Sequence, residues 1–356
     1  MLYRYVLECT ARGVSLIAGK KAERSKLTVA FKEFFIKSAI KLTVMIIAEI
    51  TFVLSTGCAY VSIPLRREVE PLEEKTLTGK GKNKILLVDI SGVITEQEKK
   101  SFAGFGKEVG DVARIKEELE KAAQDKHIKA LILRVNSPGG TVTACDIIHQ
   151  EIMRYKKKHN IFVTASLMDV AASGGYYIAT AADRITAHPT TITGSIGVIV
   201  TKLNVKGLMD KIGVQEESIK SGDKKDILSP FRGSTHEERK LVQEIVDSLY
   251  QKFLDVIEQG RPAISRSELK TIADGRVFTA QQALNAKLID EISYLDDAVE
   301  MIKKQAGLTE TRLITYRRPS TYKNNIYSQA TIQLLNIDGE GFNGYFPVQF
   351  MYLWNP

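Results

Sequence analysis

Short aliphatic runs that alternate with amphipathic helical segments constrain this chain more than any other feature. Residues 84–90 (KILLVDI) and 130–135 (ALILRV) are continuous apolar runs ended by turn residues, and 161–167 and 196–200 repeat the pattern. Runs that short and that uniformly apolar predict strands buried on both faces. Between the first two, Val112, Ile115 and Leu119 recur at helical spacing; after the second, Val142, Cys145, Ile148, Ile152 and Tyr155 do the same. The alternation predicts an α/β domain with a mainly parallel sheet. A later helix is expected from Ser234, where Glu237 forms a capping box, through Leu241, Ile245, Leu249, Phe253 and Val256. With 356 residues, 44% of them hydrophobic, the chain can bury a large core, and disorder is excluded as its general state.

The net charge of +8 is not a property of that domain. Residues 1–41 hold nine Lys/Arg against three Glu, a net of +6, which leaves +2 for the remainder. No basic cluster with interleaved aromatics follows, so nucleic acid is not an expected partner. The arm precedes residues 42–63 (LTVMIIAEITFVLSTGCAYVSI), apolar except for Glu49 and close to the roughly 20 residues that cross a hydrocarbon layer as a helix. Lys32, Lys37 and Lys41 on its N-terminal side place residues 1–41 in the cytoplasm as a basic arm and send the bulk of the chain outward, although Arg66 and Arg67 reduce the asymmetry. A second reading fits the same stretch: Leu54-Ser-Thr-Gly-Cys58 resembles a bacterial lipoprotein signal, in which Cys58 is lipidated and acyl chains replace the span. Both readings tether the chain to the cytoplasmic membrane, with its main domain on the extracytoplasmic side.

Residues 64–83, with two prolines and many charges, read as a linker, residues 84–305 as the main domain, and residues 306–356 as a C-terminal tail. From about residue 317 periodicity is lost, and the tail ends in GYFPVQFMYLW, too apolar to lie in water unaccompanied. Packing on the parent domain or a neighbouring copy is favoured over a membrane surface. The three cysteines, Cys9, Cys58 and Cys145, are too far apart in sequence for a metal or redox motif, and Cys145 is expected in the core as a small buried hydrophobe.

Two glycine-rich segments follow strands, Asn136-Ser-Pro-Gly-Gly140 and Ala172-Ser-Gly-Gly-Tyr176, and both are read as turns that open helices. Unpaired amides at such a turn, with glycine admitting a close carbonyl, are what an oxyanion hole is made from. A plain strand-to-helix connection uses the same residues, and a serine there also serves as an N-cap. None of the five histidines, His127, His149, His159, His188 and His236, lies on a glycine-rich turn; His149 and His236 are read as surface residues, which argues against a Ser-His-Asp triad. Asp183 and Asp226 are read as caps or ion-pair partners.

VNSPGG at 135–140, AASGGYYIATAADRI at 171–185, TGSIGV at 193–198, IKSGDKKDILSPFR at 219–232 and ADGRVFTAQQAL at 273–284, in this order, resemble the signal peptide peptidase A family of serine peptidases. The resemblance covers about residues 84–305. It implies a ClpP/crotonase-like fold of stacked β-β-α units, peptide hydrolysis, and no metal or organic cofactor. Carried over by motif, Ser173 is the nucleophile and Lys225 the general base, with Lys224 the adjacent alternative; Gly140 and the Ser173 N–H form the oxyanion hole, and Ser195 orients the lysine. Such a pair needs a lysine kept neutral by desolvation so that it can accept the serine proton. Lys287 stands where the family often has glycine, a departure that bears on helix termination. The family occurs as tandem-duplicated or single-copy chains. This single-copy form implies a homo-oligomer whose sites take serine and lysine from adjacent protomers.

The resulting expectation is a membrane-anchored serine endopeptidase with a Ser-Lys dyad that degrades hydrophobic peptides such as remnant signal peptides. A crotonase-type acyl-CoA enzyme would reuse the oxyanion hole without the dyad, and a catalytically silent membrane scaffold would need neither.

Overall fold

The computed structural model describes residues 40–49, 70–97, 99–100, 107–319 and 350–354. The chain divides into two compact units, Met1–Leu65 and Arg66–Pro356. In the first, residues 40–49 form a helix, α1; Cys58 and the rest of the apolar stretch 42–63 lie outside the described residues. Among the described residues no helix is long and apolar enough to cross a membrane.

The larger unit opens with strands β1 (Glu73–Gly79) and β2 (Asn83–Ile94), then a small hairpin, β3 (Lys99–Lys100) and β4 (Lys107–Glu108). Helix α2 (Asp111–Ala123) leads to β5 (Ile128–Thr141), α3 (Val142–His159), β6 (Phe162–Ala172) and α4 (Gly174–Ala179). Three short strands follow, β7 (Arg184–Ala187), β8 (Ile192–Gly194) and β9 (Ile199–Val200), then α5 (Lys206–Ile212), α6 (His236–Gly260) and α7 (Arg266–Ile272). The rest comprises β10 (Val277–Thr279), α8 (Ala280–Asn285), β11 (Glu291–Ile292), α9 (Leu295–Gln305), β12 (Thr311–Arg317) and β13 (Phe350–Leu353).

The main sheet runs β1-β12-β2-β5-β6-β7-β11, parallel throughout except for β1. This is the α/β arrangement expected from the alternating pattern. Leu86, Val88, Leu131, Leu133, Val163 and Ala165 on the central strands are fully buried against helices, with Ile115 and Leu119 of α2 and Ile148 and Ile152 of α3 in the same core. On the other face, Ile85, Leu87, Ala130 and Ile132 meet Leu295, Val299 and Ile302 of α9. Burial on both faces explains why the strands read as unbroken apolar runs. Cys145 is buried in this core, as expected.

Several local expectations are corrected. The stretch read as a linker supplies β1, and the stretch read as a tail supplies β12, which pairs with both β1 and β2. Residues 196–200 do not form a buried strand: Ile196 is buried, but only Ile199–Val200 pair, and Ile199 is exposed. The capping box of α6 lies one residue later than expected. The Thr235 γ-oxygen accepts from the Glu238 N–H at 3.1 Å, while the Glu238 carboxylate accepts from the Thr235 N–H at 2.8 Å. Sequence offers both pairs; the Arg232 guanidinium, 2.9 Å from Glu238 Oε2, selects the second. Lys287 adopts φ 60° after α8, the left-handed conformation that glycine reaches without strain.

Asn136-Ser-Pro-Gly-Gly140 is not a turn. It extends β5 alongside β2, with Val93 opposite Gly139 and Ile94 opposite Gly140. The Ser137 hydroxyl donates to the Gly92 carbonyl at 2.6 Å and accepts from the Gly139 N–H at 3.0 Å. Strand neighbours thus continue through the segment, and the helix starts only after Thr141, whose hydroxyl caps it by accepting from the Ala144 N–H.

Candidate active site

β6 ends at Ala172, and the next residue turns sharply. Ser173 has φ 52° and ψ −114°, a conformation that costs a non-glycine residue of order 1–3 kcal/mol. Two backbone bonds hold it there. The Ser173 N–H donates to the Gly194 carbonyl at 2.7 Å, and its carbonyl accepts from the Tyr177 N–H at 2.8 Å, starting α4. The following residues pack against the extended 136–140 segment so tightly that a Cβ on Gly175 would sit 2.7 Å from the Ser137 carbonyl oxygen. Only glycine permits that approach.

Ser173 is buried, 1% exposed, and its Oγ has no hydrogen-bond partner among the described residues. A buried hydroxyl without a partner costs about 1–3 kcal/mol. Strain and desolvation together single out a side chain held for something other than stability.

Ser195 lies next to it, since β8 pairs with the end of β6 in a register that sets Ala172 against Gly194. Ser195 is buried with φ 48°, fixed by its N–H donating to the Arg276 carbonyl at 2.8 Å. Gly139, next to Gly140 on β5, comes close to the first amide of α4: a Cβ on it would stand 2.8 Å from the Gly174 nitrogen. The fold thus sets Ser195 beside Ser173 and a β5 glycine beside the residue that follows it. The Ser173 N–H is engaged by Gly194, so it is not available as an oxyanion donor. The next amide, that of Gly174, opens α4, where first-turn N–H groups have no acceptor within the helix.

Lys225 is not brought to this point. It is exposed, in the segment between α5 and α6, and among the described residues its amine makes no hydrogen bond or ion pair. Its neighbours are tied down. Lys224 pairs with Glu237 at 2.5 Å, and Asp226 accepts from Arg232 at 2.8 and 2.7 Å and from Lys220 at 2.7 Å. These bonds from Arg232 and Lys220 hold the Asp226 carboxyl well below the usual carboxylate range, and Arg232 holds Glu238 down to about 2. Asp226 is thus the ion-pair partner expected, as is Asp183, 3.0 Å from Lys156. Since Ser173 Oγ is without a partner, Lys225 does not reach it inside one chain.

Tyr177, on α4, donates its hydroxyl to Asp146 at 2.6 Å and meets His149 edge to face at 5.3 Å between ring centres. His149 is therefore not the surface residue expected. It is buried on the inner side of α3, and burial pushes its imidazole down to about 4. Polar neighbours in sequence hid this, because those neighbours point away from the core at helical spacing. His236 is exposed as expected, and none of the histidines hydrogen-bonds the Ser173 hydroxyl.

Residues 155–309 match Peptidase family S49. The putative signal peptide peptidase SppA of Enterococcus faecium is 37% identical over 252 residues, which span 71% of this chain and 72% of that protein. The chain belongs to peptidase family S49. It is thus a member of the signal peptide peptidase A family of serine peptidases, as its motifs implied, and the matched span contains Ser173, Ser195 and Lys225. Protease 4 of Haemophilus influenzae is 35% identical over 217 residues, 61% of this chain but 34% of that protein. Among solved structures, ClpP1 from Listeria monocytogenes is similar with a TM-score of 0.39 and 16% identity, covering 60% of this chain and 94% of that one.

Proposed function

We propose that this S49 peptidase is a membrane-anchored endopeptidase whose nucleophile is Ser173 and whose general base is Lys225 of an adjacent protomer. The observation that carries the proposal is the Ser173 hydroxyl, buried, strained and without a partner among the described residues. A serine hydroxyl is a weak nucleophile until a base takes its proton. Lys225, held at the surface between anchored neighbours, is the complementary half: a base with no partner among the described residues. Docked against another copy, the amine loses water, and desolvation favours the uncharged form that a general base needs. Ser195, beside Ser173, then accepts or donates to orient that amine.

Catalysis follows from these positions. Lys225 removes the Ser173 proton as Oγ attacks the scissile carbonyl, and the amides of Gly140 and Gly174 receive the developing oxyanion. The lysine returns the proton to the leaving amine, and a water activated by the same base releases the acyl group. Leu203, Leu208, Ile212, Val214 and Ile219, all exposed around α5 and the segment leading to Lys225, supply an apolar surface for the neighbouring copy. Hydrophobic peptides such as remnant signal peptides are the substrate class, and residues 42–63, as a span or through lipidated Cys58, place the enzyme at the extracytoplasmic face of the membrane. We expect Ser173→Ala and Lys225→Met to abolish cleavage of an apolar peptide while leaving the circular dichroism spectrum unchanged; full activity in either variant defeats the dyad. Acylation of Ser173 by a serine-hydrolase probe separates this reading from a crotonase-type enzyme, which forms no acyl-serine.

A further inference from the structure

Residues 213–235, between α5 and α6, form no helix or strand, so little regular backbone structure fixes Lys225. Its N–H donates to the Gly222 carbonyl at 3.0 Å, the Ile227 N–H to the Lys224 carbonyl at 3.1 Å and the Ser229 N–H to the Asp226 carbonyl at 2.9 Å. These bonds close successive turns; among the described residues no backbone-to-backbone bond ties 222–229 to the rest of the fold. A lysine on such a segment aims its amine only as well as its own Cα is held.

The Arg232 side chain supplies the missing tie. Its Nε and Nη2 donate to the two carboxylate oxygens of Asp226, the residue after Lys225, at 2.8 and 2.7 Å. The same guanidinium donates through Nη1 and Nη2 to Glu238 at 2.9 and 2.5 Å. Glu238 is buried in the first turn of α6, whose Phe253, Leu254 and Ile257 are in the main core. One planar fork thus joins the neighbour of Lys225 to a helix that cannot shift. Two lysines brace it: Lys220 donates to Asp226 at 2.7 Å, and Lys202, just past β9, donates to the Arg232 carbonyl at 2.7 Å and the Ser234 hydroxyl at 2.9 Å. Partly exposed ion pairs contribute little to stability; what a doubly bidentate guanidinium adds is fixed geometry.

We infer that Arg232 is a positioning residue for the base: by clamping Asp226 to Glu238 it fixes the direction in which Lys225 leaves the surface, and with it the place its amine takes at the Ser173 of an adjacent protomer. This rests on the reading of Ser173 and Lys225 as a dyad shared between protomers and adds the group that sets its geometry. Arg232 acts through Asp226 alone and touches neither reacting atom, so its loss slows the chemical step and leaves substrate binding as it was.

The test places Arg232→Gln, Arg232→Lys and Asp226→Asn in the full chain and follows hydrolysis of a dansylated peptide of Leu and Ala. In Arg232→Gln kcat should fall by about 100-fold, the cost of a catalytic group displaced by about 1 Å, with KM unchanged. Arg232→Lys keeps the charge but not the fork and should be nearly as slow. Asp226→Asn leaves the Arg232–Glu238 pair and the cap of α6 in place, so it should fold and still lose kcat. A kcat within about twofold of wild type in Arg232→Gln or Asp226→Asn, or a loss carried by KM, overturns the inference. Subunit exchange then locates the defect. Arg232→Gln should recover with Ser173→Ala, to about a quarter of the wild-type sites at equal amounts, and should gain nothing from Lys225→Met; a chain that merely folds badly recovers with neither. Recovery with Lys225→Met, or none with Ser173→Ala while Ser173→Ala and Lys225→Met complement each other, also overturns it. Absence of recovery in every mixture refutes the sharing of the dyad, and kcat then decides the role of Arg232. Full activity of Lys225→Met by itself defeats the dyad, and the inference with it.

Discussion

Two inactive variants are expected to restore activity when their subunits are mixed. Ser173→Ala removes the proposed nucleophile and keeps Lys225; Lys225→Met keeps the length of the side chain, removes the proposed base's amine and leaves Ser173 intact. In the structure Ser173 Oγ is without a partner and Lys225 is exposed on a different segment, so each variant retains the half of the site that the other lacks. In a closed ring assembled at random, a site works only where a subunit with an intact serine meets a neighbour with an intact lysine. With mole fractions x and 1−x the working fraction is x(1−x), about a quarter of the wild-type sites at equal amounts and about a fifth at three to one. The assay is peptide hydrolysis after subunit exchange, with exchange itself verified by native mass spectrometry. A single-chain site predicts no recovery at any ratio. Zero activity across the titration despite proven exchange refutes the shared-site reasoning, and the parabolic dependence distinguishes true sharing from slight residual activity in one variant.

The turn at Ser173 predicts a trade between stability and function. Ser173→Gly removes both the orphan hydroxyl and the left-handed strain and should raise stability by about 1 kcal/mol net of the entropy cost of glycine, more than Ser173→Ala, while cleavage is lost; urea midpoints check this, and a fall in both variants would mean that the turn stores no strain. His149 gives a pH prediction. Its folded-state pKa is depressed from 6.5 to about 4 by burial, so the unfolded chain binds more protons between these values. Stability is complete above about pH 6.5 and declines towards pH 4, by up to about 3 kcal/mol from this group. His149→Gln should flatten the melting temperature over that interval, and identical profiles for the two proteins would contradict the assignment.

The parallel sheet, its two-faced burial and the helices between strands were legible because each depends on local periodicity: alternating apolar runs and i, i+3, i+4 spacing are properties of contiguous residues. The resemblance that singled out Ser173 was equally local, since the turn before α4 needs glycines at fixed positions. What sequence misjudged shares a different physical cause. Asn136–Gly140 reads as a turn by composition and becomes strand because β2 and β13 satisfy its backbone. His149 reads as exposed by its neighbours and is buried because α4 lays Tyr177 over it.

Sequence by itself determined most of the sheet and its helices, and singled out the residues proposed to carry the chemistry, through periodicity and short motifs whose geometry is set by neighbours in the chain. Only the tertiary structure decided that no base among the described residues reaches Ser173, that its amide is taken by Gly194, and that Tyr352 lies beside Gly139 across more than two hundred residues of sequence. Pairing between strands so distant is selected by the burial and backbone satisfaction of the whole fold, and no local pattern encodes it.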